Sequence, residues 1–539
     1  MQPSSTATRH LSAAAYLDED FCRVALDEVY HQPRRLVAPS YGFDLITVLG
    51  HCRRAERIAL VRDAILAGIL VVSACVSYLA LIAVVSWLIQ VQLVVATARL
   101  VRDALRELRH GTPQSFNRLL VRALLIVLAL GVLFGLSTLL ALLAFAGPIG
   151  STDPADPLVQ GIGTGVTILA LLIVVSVPLA ANIVRQYQVD GLVPGRPGAL
   201  PASTRRLVDI QHQQTGNAVA YSGYRQFVGS GWEIETSGFA QRLVRRDNGA
   251  VEPTREADRE FEEPPFTAAE LIAYLDGQLR PLITDSLPER QIPGLSIEDR
   301  VFIAGTEVTY LSPFASAEYV AHVVRNPTSP TRHYLACQVV SWDGELVTNV
   351  YVHVAVQGRT LYLEVSSWFL PPCADKYRVV DQVGGVGAMA YVRAIWRGLV
   401  DAPRIVAKAP VNLVRLGVRA ITTAMADPTP GPVPRGYDYG ARVSLRELGS
   451  ADGFRVDLLA HDVHKYVQVV ERRVVAAVLD FLEDRGVDTA EYRQRATTIL
   501  NNNGVMNTGS GTTHISQSAV GHQARTHTAT APPQRARAS

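Results

Sequence analysis

The chain has 539 residues, with 51 lysines and arginines against 49 aspartates and glutamates, and its formal net charge is +2. This balance gives no global reason to expect nucleic acid as a partner. Charged residues make up only 19% of the chain and its mean hydropathy is +0.16, which is typical of a protein that lies partly in lipid. The five scattered cysteines are too few for a secreted disulfide framework, so we expect reduced thiols.

The first part of the chain, residues 1–62, contains no apolar run of signal-peptide length and is interpreted as a cytoplasmic N-terminal segment. A transmembrane region is predicted over residues 63–185, because three stretches there lack any charged side chain. These stretches are 64–98, 123–147 and 163–184. The second and third each have the length of one membrane-spanning helix.

The first uncharged stretch is too long for one span, because 35 residues of helix extend roughly 50 Å and the hydrocarbon core is about 30 Å thick. Two short spans, about 64–80 and 82–98 with a turn near Ser77, give a region of four transmembrane helices. One span followed by an amphipathic extension along the membrane surface gives three. The sequence leaves both alternatives open.

Basic residues indicate the orientation of the spans. Arginines collect before residue 64, between 98 and 123, and after 184, whereas the connection 148–162 has two aspartates and no basic residue. Because cytoplasmic flanks collect Lys and Arg, four spans place every arginine-rich flank inside, and three spans place the first one outside. Both alternatives predict a multi-pass protein of the cell membrane with a cytoplasmic C-terminal part.

The predicted spans carry no ionisable group, which argues against a transporter. Gly131 and Gly135 form a small-x-x-x-small pair on one helix face. Such pairs allow helices to approach closely, so both glycines are candidates for helix packing.

A Gly- and Pro-rich linker is predicted over residues 186–210. Residues 211–382 then alternate apolar and polar side chains over several short runs, with a capping box and an amphipathic helix near the middle. We expect a cytoplasmic α+β domain with an antiparallel sheet.

A hairpin turn predicted at residues 343–344 sets a register in which Cys337 faces Val350. Because side chains alternate across a strand, Cys337 then lies on the opposite face to His353, and the two do not form a nucleophile and base. Tyr351 shares the polar face with His353. That face is expected to be either a solvated surface or a site for a partner.

A basic stretch, residues 386–426, is predicted to form amphipathic helices divided by Pro403 and Pro410, and its one acidic residue is Asp401. Such a stretch either lies on anionic lipid head groups, where each cation adds about 1 kcal/mol, or covers the sheet with its cations in water. The candidate membrane-surface residues are Arg393, Arg397, Arg404, Lys408, Arg415 and Arg419.

A helical C-terminal module is predicted over residues 440–500. Its main helix, roughly 455–485, has an apolar stripe that either docks on its own domain or pairs with a copy of the chain as a homo-oligomer. His461 and His464 stand one turn apart, but no third metal ligand accompanies them. Residues 501–539 are interpreted as a turn-rich element and a disordered tail.

Four short segments carry a resemblance to a known family: SYGFDL at 40–45, VQGRTLYLE at 356–364, FLEDRGVDT at 481–489 and ILNNNGVMNTGSGT at 499–512. Together they resemble a group of uncharacterised multi-spanning integral membrane proteins of actinobacteria. The resemblance implies a membrane-embedded chain, and since the group has no known activity, it implies no catalytic residue. The last segment is also similar to the ends of some actinobacterial conflict or signalling proteins.

The chain contains no Gly-x-Ser-x-Gly elbow, His-Glu-x-x-His pair, phosphate loop, dinucleotide fingerprint or Cys-x-x-Cys pair. We therefore predict no catalytic, cofactor-binding or metal-binding residue. The expected function is that of a non-enzymatic membrane-anchored protein that presents a cytoplasmic interaction or sensing domain at the inner leaflet. The alternative is a membrane-tethered hydrolase or transferase whose site lies on the polar face of the sheet.

Overall fold

The computed structural model describes residues 5–76, 78–110, 131, 157–194, 204–246, 259–285, 287–382, 387–425, 432–451 and 457–494. The helices in this part of the chain are α1 (Thr6–Leu17), α2 (Glu19–Ala25), α3 (Leu45–Val76), α4 (Tyr78–His110), α5 (Pro157–Asp190), α6 (Arg205–Gln214), α7 (Ala268–Leu279), α8 (Pro281–Thr284), α9 (Ala317–Arg325), α10 (Ala388–Met425), α11 (Leu445–Leu448) and α12 (Asp457–Asp484). The strands are β1 (Ala218–Tyr221), β2 (Trp232–Arg242), β3 (Leu295–Ala304), β4 (Arg332–Ser341), β5 (Leu346–Gln357) and β6 (Thr360–Leu370).

The strands form a six-stranded mixed sheet in the order β1-β3-β4-β5-β6-β2. Strand β1 runs parallel to β3, and the other neighbouring pairs are antiparallel. The expectation of an antiparallel sheet is therefore wrong at one edge. Because β2 lies at the opposite edge, the chain crosses the whole sheet between β1 and β3, and a long crossover of this kind permits parallel pairing.

The β4–β5 hairpin has the predicted register, with Cys337 opposite Val350. Its turn spans residues 342–345 instead of the predicted two. The carboxylate of Asp343 in this turn accepts a hydrogen bond of 2.7 Å from the backbone N–H of Thr6, at the start of α1. A long-range contact with α1 thus accompanies a wider turn than the local Asp-Gly signal predicts.

One face of the sheet forms the main core with α7 and α12. Cys337 is buried there with Leu271 of α7 and with Val470 and Val474 of α12. The apolar stripe predicted for residues 455–485 therefore docks on its own domain, which was the first of the two alternatives.

The other face is also covered, so the expectation of a solvated or partner-binding surface is wrong. Tyr351 is buried, and its ring stacks on Phe227 with the centroids 4.6 Å apart. Its hydroxyl lies 2.7 Å from that of Ser230 and 3.3 Å from that of Tyr41. Because Tyr41 precedes α3, the chain in front of the apolar helices folds back over the sheet, which no local pattern signals.

The described residues of the predicted N-terminal segment pack with later parts of the chain. Leu11 of α1 and Leu49 of α3 share a buried cluster with Tyr377 and Val380, which follow β6, and with Leu445 of α11. This second core joins the sheet domain to the apolar helices.

The apolar helices form a layer of their own. Helix α3 ends at residue 76 and α4 begins at residue 78, yet Leu66 of α3 and Val84 of α4 are buried in the same cluster as Val174 of α5. Helices α3 and α4 therefore both pack on α5. Among the described residues, two helices are long and apolar enough to cross a membrane, Leu45–Cys75 and Gly165–Asp190. The apolar part of α4, Val84–Arg99, is shorter than this. Three or four transmembrane helices are therefore not shown.

The basic stretch forms one continuous helix, α10, of 38 residues, with Pro403 and Pro410 inside it. The prediction of several short helices is wrong here. Each proline removes a helix hydrogen bond, but Val406 and Ala409 are buried against α3 and α5, and this packing offsets the loss. Helix α10 thus covers the apolar helices, and not the sheet.

Several predicted segments fall outside the described residues. They are residues 123–147 apart from Gly131, the part of the linker at 195–203, and the tail at 501–539. The linker prediction at 186–210 overlaps α5, which continues to Asp190, and α6, which begins at Arg205.

Candidate functional site

The helix layer of α3, α4, α5 and α10 presents apolar side chains outward. Those that are more than half exposed include Val61 and Val71 of α3, Val94 of α4, Ile168 and Leu172 of α5, and Val411, Val414, Val418 and Ile421 of α10. Exposed apolar side chains in this number are typical of a surface that contacts a membrane or another protein. The sheet domain, by contrast, buries its valines and leucines.

Helix α10 contains an 11-residue repeat that carries its charges. Arg393, Arg404 and Arg415 occupy one position of the repeat, and the cations four residues later, at 397, 408 and 419, occupy another. Eleven residues are close to three helical turns, so both rows stay on one side of the helix along its whole length. Sequence reasoning found the six cations but missed the repeat, which a search for internal periods would have shown.

The apolar side chains of α10 follow the same repeat. The exposed residues Trp396 and Val418 belong to one row, and Val414 and Met425 belong to another. The remaining side of the helix packs on the protein, and Ala402 and Ala409 are fully buried there. Helix α10 therefore has three sides: one packed, one apolar and exposed, and one cationic between them.

Small residues allow α10 to lie close to α5. A Cβ atom at Gly398 would stand 3.1 Å from the Cα of Leu179. The side-chain amide of Asn182 donates a hydrogen bond of 3.4 Å to the carbonyl of Ala394. The backbone of α10 is thus held directly against α5, which fixes the direction of the cationic side.

The structure divides the six candidate cations. Arg419 binds inward, to Asp27 at 2.7 Å and to Glu56. The Nε of Arg393 donates to the carbonyl of Met389 at 3.4 Å. The cations without an ion pair or hydrogen bond to any described residue are Arg397, Arg404, Lys408 and Arg415.

Arg404 and Lys408 stand four residues apart on one helix side. Like charges at this spacing destabilise a helix by about 0.2–0.5 kcal/mol. The same spacing recurs between Arg393 and Arg397 and between Arg415 and Arg419. The arrangement thus costs stability, which Asp401 offsets in part beside Arg397 and Arg404. Arg419 is relieved by its pairs with Asp27 and Glu56.

A cavity of about 280 Å³ lies between α10, α5 and the junction of α1 and α2. Three of the unpaired cations of α10 border it, and two further arginines come from α3 and α5. Its charged lining residues are Glu19, Asp20, Arg62, Arg185, Arg397, Asp401, Arg404 and Lys408.

Glu19 neutralises one side of this cavity. Its carboxylate accepts hydrogen bonds from Arg62 at 2.9 Å and from Arg185 at 2.6 Å. Burial raises the pKa of Glu19, but the two guanidinium groups outweigh this effect and lower the pKa to about 2. Arg62 also binds Asp63 at 2.8 Å. The floor of the cavity is therefore charge-compensated, whereas the cations of α10 at its rim are not.

A second polar cluster joins α1 to the sheet domain. The ring nitrogens of His10 lie 2.7 Å from a carboxylate oxygen of Glu345 and 2.6 Å from one of Asp381. Glu345 also accepts bonds from the backbone N–H of Cys373 at 2.9 Å and from Arg378 at 3.1 Å. This buried network connects the N-terminal helix to the turn before β5 and to the segment after β6.

His10, Glu345 and Cys373 are the one group of three potential metal ligands that lie together among the described residues. Burial raises the pKa of the Cys373 thiol to about 12. Both nitrogens of His10 already face carboxylates. The cluster therefore acts as a structural connection between two parts of the chain.

The other candidate residues are placed as follows. Cys337 lies in the main core and His353 on the opposite face, as the register predicts, and burial raises the pKa of the Cys337 thiol to about 12. His464 lies 2.7 Å from the side-chain amide of Gln468. A Cβ atom at Gly131 would meet no described atom within 4 Å, and helix packing there stays a prediction. Gly135 lies outside the described residues.

A family model described as an AbeC-like domain matches residues 236–516, slightly more than half of the chain. The match includes most of the sheet, α10 and α12, but it begins after α3, α4 and α5. No curated protein and no solved structure matches the chain.

Proposed function

We propose, for a chain that belongs to the AbeC-like domain family, a non-enzymatic role as a membrane-anchored protein. Its apolar helices lie in the cell membrane, and its α+β domain stands at the cytoplasmic surface as an interaction or sensing module. Helix α10 lies along the inner surface of the bilayer. Membership of an actinobacterial group remains a prediction from the resemblance alone.

The geometry of α10 carries this proposal, because the helix contacts all three apolar helices. Its first half lies against Asn182 of α5 and forms a groove with Val94 of α4, and Asn412 in its second half donates a bond of 2.9 Å to Asp63 of α3. Asn182 and Leu179 of α5 meet successive turns of α10. Asp63 and Glu56 of α3 likewise bind different turns of its second half. Helix α10 therefore runs alongside α5 and α3 at the charged residues that end their apolar parts, and an amphipathic helix held there is suited to a membrane surface.

The side chains of α10 support the same position. Interfacial helices combine an exposed apolar side with a cationic side, and the cations gain about 1 kcal/mol each from anionic lipid. Helix α10 presents both sides and packs its third side on the protein. The family match includes α10 but not α3, α4 and α5, on which α10 packs. We therefore infer that attachment to the membrane surface belongs to the family domain.

A fluorophore on α10 tests the proposal. The full chain with Val414→Cys and Cys75→Ser is labelled with an environment-sensitive dye in phosphatidylcholine vesicles that contain phosphatidylglycerol. We expect quenching by a lipid-soluble quencher and little by an aqueous one, because Val414 is exposed on the apolar side. Tyr224→Cys, on an exposed loop of the sheet domain, is the matched control and should respond to the aqueous quencher. Equal aqueous quenching at both positions would contradict the proposal.

The natural cysteines test the orientation. Cys75, beside the α3–α4 turn, is exposed, and the other four cysteines are buried. If the α3–α4 hairpin crosses the membrane with both ends inside, a membrane-impermeant maleimide labels Cys75 in intact cells. Cys75→Ser should abolish this signal. Labelling that requires opened cells would mean that the turn does not reach the outer surface.

A further inference from the structure

We propose that the cavity between α10, α5 and the α1–α2 junction is a binding site for a phosphate-bearing anion. The site combines Arg397, Arg404 and Lys408 of α10 with Arg185 of α5. It deepens the proposed membrane-surface role, because one source of such an anion is a lipid head group. The other source is free phosphate.

Charge is the first support. The lining of the cavity has five cations and three carboxylates, and Glu19 is already bound by two of the arginines. Asp20 and Asp401 also line the cavity and leave it with a positive excess. None of the three cations of α10 forms an ion pair or hydrogen bond with a described residue, and the carboxylates of the cavity leave them in excess, so an anion between them would relieve their mutual repulsion.

An unused donor is the second support. The Nε of Arg185 is buried in this region and has no hydrogen-bond partner in the described part of the chain. Buried N–H groups are nearly always paired, because an unpaired donor loses its hydration without compensation. A shift of the Arg185 side chain towards an anion in the cavity would pair this donor.

The geometry favours phosphate over a carboxylate. A phosphate presents several anionic oxygens in different directions, and it suits guanidinium and ammonium groups that come from different helices. The cavity of about 280 Å³ is large enough for a phosphate group with part of an attached alcohol. Val400 lies one helical turn before Arg404 on α10, so the acyl chains of a lipid would meet apolar side chains beside the site.

The test uses the full chain in phosphatidylcholine nanodiscs and a titration with inorganic phosphate. Binding to the folded chain raises its unfolding temperature, which gives an apparent Kd. The cavity variant carries Arg404→Gln and Lys408→Gln. The control variant carries Arg393→Gln and Arg415→Gln, which remove the same charge from the same repeat outside the cavity. We expect the cavity variant to bind phosphate at least about tenfold more weakly and the control to bind it normally.

A second arm identifies the source of the anion by repeating the titration in nanodiscs that contain phosphatidylglycerol. Weaker apparent phosphate binding there, in the wild type and the control, means that the lipid head group occupies the site. Unchanged binding means that free phosphate is the ligand. Failure of phosphate to stabilise the wild type, or equal loss in both variants, would overturn the cavity proposal. The fluorophore at residue 414 would still report on membrane contact in that case, so the two proposals fail independently.

Discussion

The sheet domain and the helix layer of this chain differ in where their apolar side chains lie, buried in the first and exposed in the second. Val470 of α12 is 1% exposed in the main core, whereas Val414 of α10 is 68% exposed. Burial of a valine stabilises a domain in water, and an outward row of valines is typical of a surface that contacts lipid or a partner. The comparison thus separates two kinds of packing within one chain, which the second core connects at α1 and α3.

Charged groups differ between the two regions in the same way. In the sheet domain, Arg446 is fully buried and its guanidinium donates to the carbonyls of Glu345 and Pro371, both at 2.8 Å. In the helix layer, Arg404 and Lys408 border an open cavity without a partner among the described residues. One terminal nitrogen of Arg446 makes both bonds, and its other two nitrogens are buried without a partner among the described residues. The buried cation is thus held by carbonyls, whereas the accessible cations of α10 are free to bind an anion.

The same substitution in both regions gives the largest expected contrast. Val470→Asp places an unpaired carboxylate in the main core and should lower the free energy of unfolding by about 3–5 kcal/mol. Val414→Asp should change the unfolding of the detergent-solubilised chain by less than about 1 kcal/mol, because the side chain is exposed. It should nevertheless weaken the membrane contact of α10. Thermal unfolding of both variants compares their losses of stability. Similar losses would mean that the outer side of α10 is packed.

Removal of the buried guanidinium should have the next largest effect. Arg446→Met leaves the carbonyls of Glu345 and Pro371 unpaired and is expected to cost about 3 kcal/mol in denaturant unfolding. Arg225→Met is the control, because Arg225 is 63% exposed and its pair with Glu447 lies at the surface. It should cost less than about 1 kcal/mol. Equal costs would show that the pairing of Arg446 contributes no more than a surface ion pair.

Acid should loosen the connection between α1 and the sheet domain. Burial raises the pKa of Glu345, but His10, Arg446 and the N–H of Cys373 outweigh it and lower the pKa from 4.5 to about 2. Because the folded-state pKa is depressed, the ionised Glu345 stabilises the fold above pH 4.5, and this contribution is lost as the pH falls towards 2. We expect it to be on the order of 2–3 kcal/mol.

Unfolding midpoints between pH 6 and pH 2 measure this effect in the wild type and in Glu345→Gln. The variant should be less stable at neutral pH, and its difference from the wild type should shrink as the pH falls through this window. A difference that stays constant down to pH 2 would rule out a stabilising carboxylate at Glu345.

Two glycines of α10 give the smallest and most local contrast. Gly398→Leu should weaken the packing of α10 on α5 by about 1–2 kcal/mol, because a Cβ there already comes within 3.1 Å of the Cα of Leu179. Gly417→Leu should be neutral or slightly stabilising, because a Cβ there meets nothing within 4 Å and leucine favours a helix. Thermal unfolding in detergent compares them, and a loss at Gly417 as large as at Gly398 would contradict the packing.

Local patterns predicted much of the secondary structure. The register that separates Cys337 from His353 is confirmed, and so is the long helix predicted at roughly 455–485, which spans Asp457–Asp484. The predictions failed where long-range packing outweighed a local pattern. Pro403 predicted a helix break, but packing on α3 and α5 keeps α10 continuous.

The candidate site was predicted only in part. The six cations of α10 were identified because their charge stands out in an apolar stretch. The division between Arg419, which binds acids on other helices, and Arg404, which borders the cavity, depends on residues that are hundreds of positions away. Glu19 and Arg185 carried no sequence signal as parts of a site.

The sequence by itself determined which segments are apolar, where strands alternate, and that the stretch 386–426 is basic and amphipathic, because these properties follow from local composition and periodicity. Only the tertiary structure decided that the polar face with Tyr351 is buried and that α10 packs on the apolar helices. Such decisions depend on which distant surfaces bury each other. That choice is made by the free energy of the whole chain, and no local window contains it.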